Sequence, residues 1–120
     1  MNRKTVVMGA SPNPYRISNL VVHRLLRNEI EVVAVGNKEG DIGTESIIKG
    51  TPTIEDVHTV TLYLSAKNQE QYYDYILNLN PKRIIFNPGA ENPELEKLAN
   101  EKNIETLEAC SLVMLSAGNY

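Results

Sequence analysis

An open α/β sheet with helices on both faces is the architecture that the sequence predicts, a Rossmann-like three-layer sandwich around five parallel strands. Three observations predict it. Short apolar runs with β-branched residues recur at residues 5–8, 31–35, 59–64, 83–86 and 104–107. Segments with the apolar spacing of a helix alternate with several of these runs, and such alternation implies parallel pairing through right-handed crossovers. The first run breaks at Gly9 into a polar, Pro-interrupted loop and resumes as a helix.

Taken in order, Thr5-Val6-Val7-Met8 reads as a strand buried on both faces. From Ile17 the apolar residues recur as Ile17, Val21 and Leu25, with Val22 and Leu26 one position on, which is a helical stripe. His23 projects from the side opposite that stripe and is expected in solvent. The second strand, at 31–35, ends at Gly36-Asn37-Lys38. Residues 39–59 are polar and Gly-rich, a long crossover with one helical turn near 54–57. A third strand follows at 59–64.

The spacing of Tyr72, Tyr75, Ile76 and Leu79 predicts a helix over 68–79, stopped by Pro81. That spacing also assigns Tyr72, Tyr73 and Tyr75 to packing, with their hydroxyls at water, rather than to stacking on a ligand. Residues 83–86 form a fourth strand, broken by Asn87-Pro88-Gly89-Ala90. Asn92 then caps a helix with Pro93 at its first position, Glu94 and Glu96 in its first turn and Lys102 at its end. Its buried stripe is Leu95, Leu98 and Ala99. The fifth strand, at 104–107, is followed by a short tail, 110–120, with an apolar patch at 112–115. The expected strand order is 3-2-1-4-5. Its switch point lies between strands one and four, so the ligand crevice falls between the loops at 9–19 and 87–92.

The 120 residues are expected to form one domain, without repeats or a linker. No apolar run approaches membrane-spanning length and no signal-peptide core opens the chain, so a cytoplasmic protein that avoids membranes is expected. Cys110 is the only cysteine, which excludes an intrachain disulfide. Two histidines and one cysteine make no metal-ligand spacing, so no metal is expected.

The net charge is −3, but residues 1–38 carry about +4 of their own and the remainder about −7. Positive charge gathered at a glycine turn suits a small polyphosphate ligand. It suits a nucleic-acid backbone poorly, because that requires an extended basic face.

A glycine turn lets backbone approach a ligand, and the free N–H groups opening the next helix face an anion. Nucleotide binding is therefore expected at 9–19. The dinucleotide fingerprint G-x-G-x-x-G is not met, since Gly9-Ala10-Ser11-Pro12-Asn13-Pro14 holds one glycine. The Walker spacing is absent as well. Lys38 stands where an acid would hold free ribose hydroxyls, and a cation there suits a phosphorylated ribose. Those features point to NADP or coenzyme A.

The same loop, with Arg16 and Ser18-Asn19, closely resembles the opening motif of the small stand-alone CoA-binding proteins. These are similar to the N-terminal CoA-binding domain of the succinyl-CoA synthetase alpha subunit. The resemblance runs through nearly the whole chain: the Val-rich second strand ending near a lysine, the G-T-P-T-I-E-D-V crossover at 50–57, the Asn87-Pro88-Gly89 turn and the late Cys110. It implies that Gly9, Ser11, Pro12, Arg16, Ser18 and Asn19, with Ala10 in the same loop, surround a pyrophosphate. It further implies that Lys38 meets the adenosine end, that Leu64 and Ser65 line an adenine slot, and that Pro88 and Gly89 border the pantetheine arm.

The sequence departs from the family in having Gly36-Asn37 where Asn-Pro is usual. Neither His23 nor His58 corresponds to the synthetase's catalytic histidine, which belongs to a second domain. The resemblance implies binding of CoA or an acyl-CoA without catalysis. The alternatives are a small NADP-dependent reductase and an acyl-transfer enzyme using Cys110. Against the second, no histidine neighbours Cys110 in sequence to form a thiolate, and a small buried residue at a strand end is the plainer reading. A regulatory module that reports CoA status to an unknown protein partner is a third reading, and the apolar patch at 112–115 is open to two roles, a homodimer contact or a cover for the sheet edge.

Overall fold

The computed structural model describes residues 3–120. Five parallel strands form the central sheet: β1 (Thr5–Met8), β2 (Val32–Val35), β5 (Thr59–Leu62), β6 (Arg83–Phe86) and β7 (Glu105–Glu108). A small antiparallel hairpin, β3 (Asp41–Ile42) with β4 (Glu45–Ser46), lies in the connection between β2 and β5. The helices are α1 (Ile17–Arg27), α2 (Ala66–Gln69), α3 (Tyr73–Asn78), α4 (Pro93–Glu101) and α5 (Ser111–Ala117), with a 3-10 turn at Glu70–Tyr72.

Alternation along β1 divides the interior into two apolar layers. Val6 and Met8 join Val60, Leu62, Ile84 and Phe86 against Ile76 of α3 and Leu95 and Ala99 of α4. Val7 points the other way, into Val21, Val22 and Leu25 of α1, with Ala34, Ile42 and Ile47 beside them. All four residues of each of the three central strands β1, β5 and β6 are buried. The edge strand β7 carries Glu105 and Glu108 at its exposed ends, charges that discourage further strand addition. Three layers around a parallel sheet are thus the expected class.

One strand sits elsewhere than expected. β5, the third long strand of the chain, pairs directly with β1, in register Thr5↔Thr59 through Met8↔Leu62, and the order is β2-β1-β5-β6-β7. The position outside β2 belongs to Ile48, which makes a single parallel bridge to Val35. Its amide donates to the Ala34 carbonyl at 2.9 Å, and its carbonyl accepts from Gly36 N–H at 3.1 Å. With Ile48 counted as a strand of one residue, the winding is 3-2-1-4-5-6 and β5 is its fourth member. The crevice at the switch point therefore lies between the segments after β1 and β5, and the loop after β6 is one strand further away.

Other boundaries shift for identifiable reasons. The helix expected at 68–79 is broken into α2, the 3-10 turn and α3. At the break Gln69 is fully buried, and its amide donates to the carbonyls of Leu64 and Ala90, each at 2.8 Å. Residues 54–57 are not helical, and Asp56 takes a left-handed conformation with φ +57°. The expected tail is instead α5, ended by Gly118 at φ +76°. Leu112 and Leu115 turn from it onto the α1 layer, while Val113 stays exposed. α4 matches expectation: the Asn92 side chain accepts from Leu95 N–H and Pro93 opens the helix. Among the described residues no helix is long and apolar enough to cross a membrane.

Candidate functional site

β1 ends at Met8 and the chain turns at Gly9, whose φ of +93° is open to glycine at little cost. The amides of Gly9 and Ala10 both donate to the Val35 carbonyl, at 3.0 and 2.9 Å, so the turn is fastened to the end of β2. A Cβ at Gly9 would lie 2.9 Å from the Tyr63 carbonyl oxygen, and one at Gly40 would lie 2.6 Å from Pro12 Cβ. The loop is gripped from both flanks by backbone that tolerates no side chain.

Its polar residues stiffen it further. Asn13 N–H donates to Ser11 Oγ at 3.1 Å, Tyr15 N–H to Asn13 Oδ1 at 2.9 Å, and Arg16 N–H to the Asn13 carbonyl at 3.0 Å. Asn19 is buried, and its Nδ2 donates to the Ser11 carbonyl at 3.0 Å from inside α1. That side chain braces the loop from behind.

The start of α1 differs from the starts of α2 and α4. Ser65 caps α2 and Asn92 caps α4, which also has two glutamates in its first turn. Arg16 occupies the cap position of α1 without a side-chain bond, and the first turn of α1 contains no acid. Its opening amides are left without a side-chain acceptor and carry the positive end of the helix dipole.

These elements surround a crevice of about 760 Å³. Its floor is the turn itself, Met8 to Asn13 with Tyr15 to Ser18. One wall is the end of β2, Val35 through Lys38, and the other is Tyr63, Leu64, Asn68, Gln71 and Tyr72. Arg16 and Lys38, both exposed, are its two cations, and no lining residue is acidic although the chain is net negative.

Of the residues singled out from sequence, Gly9, Ala10, Ser11, Pro12, Arg16, Ser18, Lys38 and Leu64 are brought together here. Four are not. Asn19 lies behind the loop, as its bond to Ser11 requires. Ser65 turns to its own helix, where its hydroxyl accepts from Asn68 N–H at 3.4 Å. Pro88 and Gly89 are exposed on the loop after β6, displaced from the crevice because β5 and not β6 adjoins β1. Their neighbour Asn87 is structural: buried, it donates to Thr61 Oγ1 at 2.6 Å and the Leu62 carbonyl at 3.0 Å, and accepts from Ser111 N–H at 2.8 Å.

Sequence reasoning missed Tyr63, Asn68, Gln71 and Tyr72, which follow from the position of β5, and it placed Ile17 in the core. Ile17 is 57% exposed because the first turn of α1 opens onto the crevice. Burial pushes the Tyr63 hydroxyl well above the ordinary tyrosine range, so that group stays protonated. Cys110 is half-buried at the start of α5 and does not line the crevice. Among the described residues no cluster of histidine, cysteine or acidic side chains could hold a metal ion.

Residues 3–116 match the family described as CoA binding domain. No curated protein matches the chain. The crystal structure of an uncharacterized protein is similar at 47% identity and TM-score 0.97, over 100% of this chain and 99% of that one. A protein from Pyrococcus horikoshii OT3 is similar at 23% identity and TM-score 0.85, over 97% of this chain and 83% of that one. A Thermus thermophilus protein, cell-free ID.343, has 18% identity and TM-score 0.85, over 99% of this chain and 91% of that one. At those last two identities the likeness concerns the fold alone.

Proposed function

The chain belongs to the CoA-binding domain family, and from that premise we propose that it binds coenzyme A or an acyl-CoA in the crevice beside the β1–α1 turn. One observation carries the placement. Arg16, Lys38 and the uncapped start of α1 meet around a loop held close by glycines, with no acid in the lining. A ligand with several phosphates is what such a lining favours.

In this reading the pyrophosphate lies over Gly9 to Pro12 against the first turn of α1. Arg16 pairs with it through its guanidinium, and Ser18, in the same lining, donates its hydroxyl. Lys38, on the β2 wall, takes the phosphate on the ribose. Leu64 supplies apolar wall on the other side, and Asn19 acts through the loop it braces.

The reductase alternative shares the phosphate site, since Lys38 suits the extra phosphate of NADP equally well. Family membership favours CoA. The acyl-transfer alternative needs a thiol at the ligand, and Cys110 stands outside the lining.

Calorimetric titration with CoA, dephospho-CoA, NADP and NAD in one buffer tests the proposal. It expects tight binding of CoA, weaker binding of dephospho-CoA and little heat from either dinucleotide. Binding of NADP without CoA overturns it in favour of the reductase, and no binding of any of the four overturns both.

A further inference from the structure

Three tyrosines follow closely along 72–75, and the structure gives them different surroundings. The Tyr73 hydroxyl accepts from Asn92 Nδ2 at 2.8 Å, and the Tyr75 hydroxyl donates to the Pro52 carbonyl at 2.6 Å. Both are thereby tied to neighbouring backbone or side chains. Tyr72 is not: it ends the 3-10 turn, half-buried against the apolar layer of α3, it lines the crevice, and its hydroxyl makes no hydrogen bond to any described residue. Asn68 and Gln71, both exposed, stand on the same wall.

The order β2-β1-β5 sets this wall on the far side of the glycine turn from Lys38. A ligand anchored by its phosphates at the turn lies between the two. The wall combines one aromatic ring, two neutral carboxamides and no charge. A planar base stacks on such a ring, and carboxamides pair with the donor and acceptor edge of an adenine. A flexible chain such as pantetheine presents only small, separate amide planes to the tyrosine, not the extended aromatic face of a purine.

We propose that Tyr72 is the stacking platform for the adenine ring of the bound ligand, with Asn68 and Gln71 reading its edge. This rests on the reading of the crevice as a CoA site and adds which side chains beyond Leu64 select the base. The break between α2 and α3 is then functional as well as structural, since it directs residue 72 to the crevice.

The test titrates wild type, Tyr72→Phe and Tyr72→Leu with CoA, with adenosine 3′,5′-bisphosphate and with 4′-phosphopantetheine. Tyr72→Leu, which keeps apolar bulk against the core, is expected to weaken CoA and the bisphosphate by at least about fivefold. It should leave phosphopantetheine unchanged, and Tyr72→Phe should retain wild-type affinities. Gln71→Ala, at an exposed position, is expected to give a smaller loss with the same selectivity, independently of how Tyr72→Leu folds. Unchanged bisphosphate affinity in Tyr72→Leu overturns the proposal, as does a loss confined to phosphopantetheine. If the wild type itself binds neither CoA nor the bisphosphate, the reading of the site falls and this proposal with it.

Discussion

The carbonyl oxygen of Ala10 occupies the space in which a side chain on Gly36 would begin. Gly36 has no positive φ, so its role is clearance alone: it lets the end of β2 close on the β1–α1 turn. Gly36→Ala should push the turn outward. The expected cost is about 1–3 kcal/mol of stability, as for other overpacked sites. CoA affinity should fall with it, because in the proposed site the turn carries the ligand's phosphates. A thermal melt and a titration check both, and a variant that melts and binds as wild type means the turn yields without consequence.

Arg16 is exposed, and its side chain makes no hydrogen bond or ion pair within the described residues, so its removal should leave folding intact. Arg16→Ala is expected to weaken CoA binding by about 1.5–3 kcal/mol, the range for a hydrogen bond to a charged group. Calorimetry at low and high salt reads it. The loss should shrink as salt rises, because the contact sits at the surface.

Lys38 is the cation of the opposite wall, and the proposal gives it the ribose phosphate. Lys38→Ala should therefore bind CoA and dephospho-CoA alike, with dephospho-CoA affinity close to wild type. A variant that still prefers CoA would assign that phosphate to another group.

Much of this arrangement is legible in the residues themselves. Gly9 follows a strand-like run and precedes a helical stripe, so both its turn and the ligand side of the sheet can be read directly. Gly36 cannot be read that way, since steric clearance across two strands leaves no periodic trace. The bridge at Ile48 is equally silent: a strand of one residue has no alternation. Missing it moves β5 to the wrong side of β2 and sends the second wall of the crevice to Pro88 and Gly89. Tyr72 illustrates a third limit. Its spacing from Tyr75, Ile76 and Leu79 suggests a continuous helix, and that spacing holds no sign of the break beside buried Gln69 or of residue 72 lining the crevice.

Asn19 joins the helix to the loop through its 3.0 Å bond to the Ser11 carbonyl. Asn19→Ala leaves that brace unmade and should destabilise the protein by about 1–3 kcal/mol. Binding should weaken mainly through a less ordered loop. Hydrogen exchange of the amides at 9–13 distinguishes this from direct contact: faster exchange in the unliganded variant is expected, whereas a direct ligand contact would leave it unchanged.

At the opposite end of the sheet, His58 makes stability depend on pH. Its Nδ1 lies 2.7 Å from Thr59 Oγ1. Its pKa is lowered from the ordinary 6.5, first by burial and then by the charges of Arg83, Arg3 and Lys82, against a smaller opposing effect of Glu105. The unfolded chain therefore takes up this proton at a higher pH than the folded one. Stability must fall as pH drops from about 6.5 towards the lowered folded value, and level off below it as far as this group is concerned. His58→Gln should flatten that part of the profile, measured as thermal midpoints between about pH 5 and 7.5 around the histidine range. If His58→Gln tracks wild type across that window, the charges of Arg83, Arg3 and Lys82 do not make stability sense the protonation of His58.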